Sequence, residues 1–251
     1  MIKKISILSG YDKKGEQEIF EKIDIESGEI IAIVGTTGSG KTRLISDIEQ
    51  NAYGETPTGR RIMINGMPAP EYFILNGKQQ FIGQVSQNMN FVMDIGVGDF
   101  LKMHAECRGI DDVKSSVERV LDAANELSGE PFYWQDDLTS LSGGQSRALM
   151  IADVALISNV DIVLMDEIEN AGIDRIKAFK LLTGCGKISI TSTHDPLLSF
   201  MADRRIIMSG GGVKKVLSSN TVEKQLLDKL LIFDSEIQIL RNRLRTGEQI
   251  V

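Results

Sequence analysis

The run Gly35-Thr36-Thr37-Gly38-Ser39-Gly40-Lys41-Thr42 constrains this chain more than any other stretch. It fits G-x-x-x-x-G-K-[ST], the phosphate-binding loop. Ile30-Ile31-Ala32-Ile33-Val34 ahead of it reads as a short buried strand, and Leu44, Ile45 and Ile48 behind it give a helical apolar face. Glycines let such a loop curl so that backbone N–H groups face phosphate oxygens, and the helix N-terminus adds a favourable dipole. Lys41 would bridge the β- and γ-phosphates, and the Thr42 hydroxyl would hold Mg²⁺. A plain glycine turn is the alternative reading, but the full motif in strand–loop–helix order speaks against it. The loop predicts binding of a nucleoside triphosphate.

With 251 residues the chain has ample core for one large domain or two closely joined subdomains. Its net charge of −7 argues against nonspecific binding to nucleic acid or to an anionic membrane. Cys107 and Cys185 are isolated, without metal-ligand spacing, and read as reduced structural residues of a cytoplasmic protein. No apolar run is long enough for a signal peptide or approaches the ~20 residues of a membrane span. Peripheral docking on the inner face of a membrane, through a membrane protein, stays open.

Residues up to about 34 read as antiparallel strands, with Ile5 and Ile7, then Ile23 and Ile25, alternating with polar residues. Tyr11 lies in the turn between them and could fold back to stack on an adenine ring. Arg60 to Gly66 suggests a strand closed by an Asn-Gly turn, and Phe81 to Gln87 another strand ending on a polar residue. From about 88 to 158 the character is helical: Val97, Phe100, Leu101 and Met103 mark one helix, and Val113, Val117, Val120, Leu121 and Ala124 a second. Leu141-Ser142-Gly143-Gly144-Gln145 then leads into a further helix. Ser-Gly-Gly there is either a simple N-cap or a group of hydroxyl and N–H donors for a phosphate.

Asp161-Ile162-Val163-Leu164-Met165-Asp166-Glu167 is a buried strand with two carboxylates at its C-terminal end, the edge at which open α/β sheets bind ligands. Two acids there suit a division of labour, one holding Mg²⁺ through water and one taking a proton from an attacking water. His194 follows the next strand, Lys187 to Thr191, and shares that edge if the strands are parallel; His104 reads as a surface residue of the helical insert. Arg204 to Leu217 closes the domain as a hairpin, and Thr221 to Arg245 reads as a helix. Leu230, Phe233, Ile237, Leu240 and Leu244 form its stripe, expected to pack on its own domain or to seed a short coiled coil with a second chain.

Together these motifs resemble the ATP-binding cassette (ABC) ATPase family over residues 1–217, with 218–251 as a C-terminal helical extension. Gly35 to Thr42 matches Walker A, Leu141 to Gln145 the family's LSGGQ signature, and Ile162 to Glu167 Walker B. Gln87 resembles the Q-loop glutamine, His194 the switch histidine, Tyr11 the adenine-stacking residue and Asp174 the D-loop aspartate. The resemblance implies a P-loop NTPase of the α/β class: a mostly parallel core sheet, an antiparallel β subdomain and a helical subdomain near 88–158. It implies ATP and Mg²⁺ as ligands, with Thr42, Gln87 and Asp166 at the metal. It further implies a head-to-tail homodimer in which Ser142, Gly143, Gly144 and Gln145 of one chain close over ATP on the other. Glu167 would polarise the attacking water, while Gln87 and His194 sense Mg²⁺ and the γ-phosphate.

Departures from the family pattern are Arg43 after the P-loop, a D-loop one residue longer with Ile168 where proline is common, Arg147 where glutamine is frequent, and Asp153 where arginine is frequent. None removes an ATP-contacting group. Two functions fit: the ATP-hydrolysing nucleotide-binding subunit of an ABC transporter, driving separate membrane permease subunits, or a soluble ABC ATPase that remodels or matures a partner protein. No stable nucleic-acid binding is expected.

Overall fold

A computed structural model describes residues 1–76, 81–86, 91–170, 173–184 and 186–248. In chain order the elements are β1 (Lys4–Leu8), β2 (Lys22–Glu26), β3 (Ile30–Val34), α1 (Lys41–Glu49), β4 (Arg61–Ile64), β5 (Met67–Pro68), α2 (Ala69–Asn76) and β6 (Ile82–Ser86). They continue with α3 (Val97–Cys107), α4 (Val113–Ser128), α5 (Gly143–Leu156), β7 (Ile162–Asp166), α6 (Arg175–Thr183), β8 (Ile188–Ser192), α7 (Pro196–Met201), β9 (Arg204–Ser209), β10 (Gly212–Ser218) and α8 (Thr221–Arg245).

Strand composition sorts these elements into two sheets. β2 buries Ile23 and Ile25 and leaves Lys22 and Glu26 exposed, as suits a sheet covered on one face. It belongs to an antiparallel sheet of order β2-β1-β4-β5. β7 and β8 are buried almost throughout and lie inside a six-stranded sheet of order β10-β9-β3-β8-β7-β6, parallel except for β10. Side chains of β7 split between two cores. Ile162 and Leu164 join Ile5, Ile7, Ile33, Leu44 and Ile48 between the sheets, whereas Val163 and Met165 join Leu101, Val120, Leu149 and Phe179 on the helical side. β3, β8, β7 and β6 run parallel, so the P-loop, Thr193 and Glu167 all leave the sheet at one carboxyl edge.

Helical spacing foretold α3, α4, α5 and α8, and Asn65 and Gly66 form the expected turn with positive φ of 51° and 85°. Four expectations need correction. β3, within the stretch up to 34, joins the parallel sheet instead of the antiparallel one. His104 is half-buried and not simply solvent-facing: its Nδ1 lies 2.7 Å from Asp153 Oδ1, tying α3 to α5 and giving the unusual Asp153 a structural role. Cys107 is a free, exposed thiol and no part of a core; Cys185 lies outside the described residues.

The fourth concerns packing of the α8 stripe on its own domain, which holds for only part of it; pairing with a second chain stays the expectation for the rest. Leu227, Leu230 and Leu231 pack on the helical-side core, but Phe233, Ile237, Leu240 and Leu244 are 60%, 47%, 42% and 63% exposed. Phe233 lies off the buried face, which Leu227, Leu230, Leu231 and Asp234 mark at i, i+3, i+4 and i+7; Ile237, Leu240 and Leu244 lie in the half of the helix beyond Asp234.

One buried ionic network pins the sheets to the P-loop helix. Arg60, fully buried, donates from Nε and Nη2 to Glu18 at 3.0 and 2.6 Å, from Nη1 to Asp47 of α1 at 3.0 Å, and to the Gly211 carbonyl at 3.1 Å. Glu18 also accepts from Gly10 N at 3.0 Å and Val213 N at 2.7 Å, and Thr58 donates to Asp47 at 2.8 Å. Burial pushes the Glu18 pKa up, but the Arg60 hydrogen bonds and charge, with the Val213 and Gly10 N–H groups, outweigh it and hold the carboxyl below its ordinary value. Removing one partner of a buried ion pair leaves an uncompensated charge. Arg60→Ala should therefore cost about 3–5 kcal/mol at pH 7 in urea unfolding. Because the native Glu18 pKa is depressed, its contribution is present above the unfolded value of 4.5 and is lost as pH falls through the native value. The gap between wild type and Arg60→Ala should accordingly narrow in acid; a constant gap would show that the Glu18 pairing contributes nothing.

Candidate functional site

The P-loop joins β3 to α1 with Gly38 and Gly40 at φ of 76° and 105°, conformations that side chains other than glycine rarely adopt. A Cβ on Gly35 would come within 2.5 Å of the Met208 carbonyl and of Ser39 Oγ, so the loop is also packed too closely for one. Thr36, Thr37, Gly38 and Thr42 are exposed, whereas Ser39 and Lys41 are buried. Lys41 Nζ donates to the Gly35 carbonyl at 3.1 Å and lies 3.0 Å from His194 Nε2.

The same His194 nitrogen is 3.1 Å from Glu167 Oε1. One ring nitrogen cannot serve both neighbours at once: it accepts from Lys41 in one tautomer and donates to Glu167 in the other. Glu167 has a φ of 52°, uncommon for a residue with a side chain. Its N–H is held by the Ser192 carbonyl at 3.0 Å, and its carboxylate lines the cavity with Lys41 and His194. The cavity measures about 270 Å³ and is also lined by Lys13, Thr37, Gly38, Gly40, Thr42 and Arg43.

Lys13 and Arg43 had no role in the sequence reading. Lys13 Nζ donates to the Gly38 carbonyl at 2.6 Å and caps the loop, and Arg43 lies 3.5 Å from Asp47. The Lys13-Lys14 pair two residues past Tyr11 was the available signal. Tyr11 lines a second cavity of about 310 Å³ with Lys13, Gly40, Arg43, Thr58 and Gly211. Its ring is 51% exposed and rests on Gly59, where a Cβ would sit 3.1 Å from the ring; its N–H donates to the Thr58 carbonyl at 2.7 Å.

Asp166 ends β7, level with Ser192, and its Oδ1 is buried without a hydrogen-bond partner; Ser39 Oγ is likewise buried and unpartnered. Such hydroxyl and carboxylate oxygens suit a hard divalent cation. Among the described residues no three His, Cys, Asp or Glu converge as a metal cage. Gln87 lies outside the described residues.

Ser142 and Gly143 are exposed, Gly144 and Gln145 half-buried, and none of the four lines either cavity. They form a capping box at the start of α5: Ser142 Oγ accepts from Gln145 N at 3.3 Å and Gln145 Oε1 from Ser142 N at 2.9 Å. Asp174 caps α6, accepting from Ile176 N and Lys177 N at 3.1 Å each.

A family profile described as "ABC transporter" matches residues 21–170. The chain is 48% identical over 249 residues to an uncharacterized ABC transporter ATP-binding protein of Methanocaldococcus jannaschii, spanning 99% of this chain and 95% of that one. It is 30% identical, over 79% of its length, to a macrolide export ATP-binding/permease protein of Psychrobacter cryohalolentis, of which it spans 31%. Among solved structures, an ATP-binding cassette in a dimeric post-hydrolysis state with ADP and Pi superposes with a TM-score of 0.63 at 20% identity, covering 86% of this chain and 99% of that one.

Proposed function

The chain belongs to the ABC transporter family of ATP-binding proteins, and from that premise we propose that it is the ATP-hydrolysing subunit of an ABC transporter. The observation that supports hydrolysis best is the meeting of Lys41, His194 and Glu167, at 3.0 and 3.1 Å, over the mouth of the P-loop. In this reading the ATP phosphates enter the cavity and draw Lys41 away from His194. Tyr11 takes the adenine, Glu167 takes a proton from the attacking water, and His194 meets the γ-phosphate. Gln87 acts as catalytic and metal-sensing residue. Thr36, Thr37, Gly38, Ser39 and Gly40 wrap the phosphates. Mg²⁺ would be held by Thr42 and Asp166 and would supply positive charge against the phosphate oxygens.

The exposure of Ser142, and its place outside the lining of both cavities, support a composite site in which Ser142 to Gln145 of a second copy close over the nucleotide. Residues 1–217 form the cassette in this reading, with 88–158 as its helical subdomain and 218–251 as its extension. No helix of the described residues is long and apolar enough to cross a membrane, which fits separate permease partners and a place at the inner membrane face. Affinity purification from native membranes tests the transporter role: a permease should co-purify, and exclusive recovery of soluble partners would overturn it.

Tyr11→Ala should weaken ATP binding by about 1 kcal/mol, the weight of an aromatic stack. Titration calorimetry reads the affinity and thermal unfolding the fold, whose stability should hold because the ring is half-exposed. Unchanged affinity would remove Tyr11 from the site.

Glu167→Gln keeps shape but loses the basic oxygen, so hydrolysis should fall about 10²–10⁴-fold while ATP still binds. A closed dimer should then accumulate in MgATP on size-exclusion chromatography. Glu167→Gln/Ser142→Arg should stay monomeric, since the arginine would fill the space for the γ-phosphate. Identical elution of the two, or surviving hydrolysis in Glu167→Gln, would refute the composite site or the proposed base.

A further inference from the structure

His194 is clamped on both flanks by the segment that follows β7. On one side, Glu169 Oε1 accepts from Thr193 Oγ1 at 2.9 Å and from His194 N at 2.7 Å. On the other, Arg175, the first residue of α6, donates from Nε to Asp195 Oδ2. Asp195 directly follows His194, and its second oxygen, Oδ1, caps α7 through Leu197 N at 2.8 Å. The remaining arm of Arg175 leaves this region: Nη2 donates to Asp234 Oδ1, in the middle of α8. These side chains are only 18%, 13% and 11% exposed for Arg175, Asp195 and Asp234. Burial disfavours the Arg175 charge, but the Asp234 hydrogen bond and the fields of Asp195 and Asp234 outweigh it and raise its pKa above the ordinary guanidinium value.

We infer that Arg175 is a positioning residue for His194 and that α8, through Asp234, governs how firmly it holds, making α8 a control point of the ATPase site. The inference rests on the reading of His194 as part of that site. A guanidinium is a planar fork with donors in fixed directions, so a carboxylate on each arm fixes its orientation in a way one partner cannot. Without Asp234, a mostly buried cation keeps one counter-charge and is free to swing about the Nε–Asp195 contact. Asp195 then loses its brace, and with it the neighbouring His194 ring loses register with Glu167 and Lys41. Misplacement of a reacting group by ~1 Å costs about 10²-fold in rate, so a smaller shift relayed through one backbone residue should cost about tenfold. His194 faces the phosphate end of the cavity while Tyr11 lines the other cavity, so the loss belongs in kcat and not in nucleotide affinity.

The test uses the full chain as Asp234→Asn, Asp234→Glu, His194→Ala and the Asp234→Asn/His194→Ala double variant. Radiolabelled MgATP gives kcat and KM, and thermal unfolding gives Tm. Asp234→Asn should lower kcat about tenfold with KM within about twofold, Asp234→Glu should recover most of the rate, and Asp234→Asn should have no further effect once His194 is alanine. Arg175→Lys, which keeps the charge but not the fork, should give the same pattern and covers the case in which Asp234→Asn does not fold. If Asp234→Asn multiplies the defect of His194→Ala, or shifts Tm and leaves kcat alone, Asp234 only fastens α8 and the inference is wrong while the ATPase reading stands. If His194→Ala hydrolyses ATP like wild type, the reading of the site fails and takes the inference with it.

Discussion

The guanidinium of Arg60 is the interaction on which the rest of the structure depends. It meets Glu18 from the β1–β2 connection, Asp47 from α1, and the Gly211 carbonyl from the β9–β10 turn, so one fully buried cation joins four separate parts of the chain. Those parts carry Tyr11, the P-loop helix and the wall behind Gly40, whose Cα side sits against Gly211. Apolar residues in place of both Arg60 and Glu18 would fill the volume, but they would leave the Gly10 and Val213 N–H groups that Glu18 holds without an acceptor. The network therefore fixes the relative placement of both cavities, a specificity that apolar packing between the two sheets would not supply.

From that frame the chemistry is placed by parallel strands. β3, β8 and β7 bring the P-loop, His194 and Glu167 to one edge in adjacent positions. There His194 meets Lys41 on one side at 3.0 Å and Glu167 on the other at 3.1 Å. The left-handed backbone of Glu167 belongs to this arrangement, because a non-glycine residue holds such a conformation only where its surroundings enforce it. Here the Ser192 carbonyl does so by accepting the Glu167 N–H.

Most of this was legible in the sequence because the signals were local. The P-loop, β7 with its two acids and the 3.6-residue periods of α4 and α8 each lie within a short window. α2 was missed because Ala69-Pro70-Glu71-Tyr72-Phe73-Ile74-Leu75-Asn76 is apolar nearly throughout and has no amphipathic face to count. α7, six residues long, is too short to show a period. Arg60 and Glu18 are 42 residues apart, and Arg175 and Asp234 are 59 apart; nothing in a single sequence pairs them. The stripe of α8 had the right period, but period reports that a face is apolar and not that there is anything beneath it. His104 reads as solvent-facing by its type, and only the fold reveals Asp153 one helix away.

The residues around Ser142 show how exposure and rigidity come together. Ser142 is open to solvent, a position at which a loop would ordinarily be mobile. Yet it is the N-cap of a reciprocal box with Gln145, and the Gln145 amide reaches on to the Glu130 and Pro131 carbonyls at 3.4 and 3.5 Å. Farther along the same helix, Asp153 holds His104 and locks α5 to α3. The helix that carries Ser142 is thus fixed at its start and near its end while its cap serves nothing within its own chain's cavities. In the proposed composite site, where this segment would close over a ligand on another chain, order present beforehand means that the entropy of ordering it is not lost on association. Asp153, where the family pattern more often has arginine, thus works as a structural partner of His104, tying α5 to α3 toward the end of the helix that Ser142 caps.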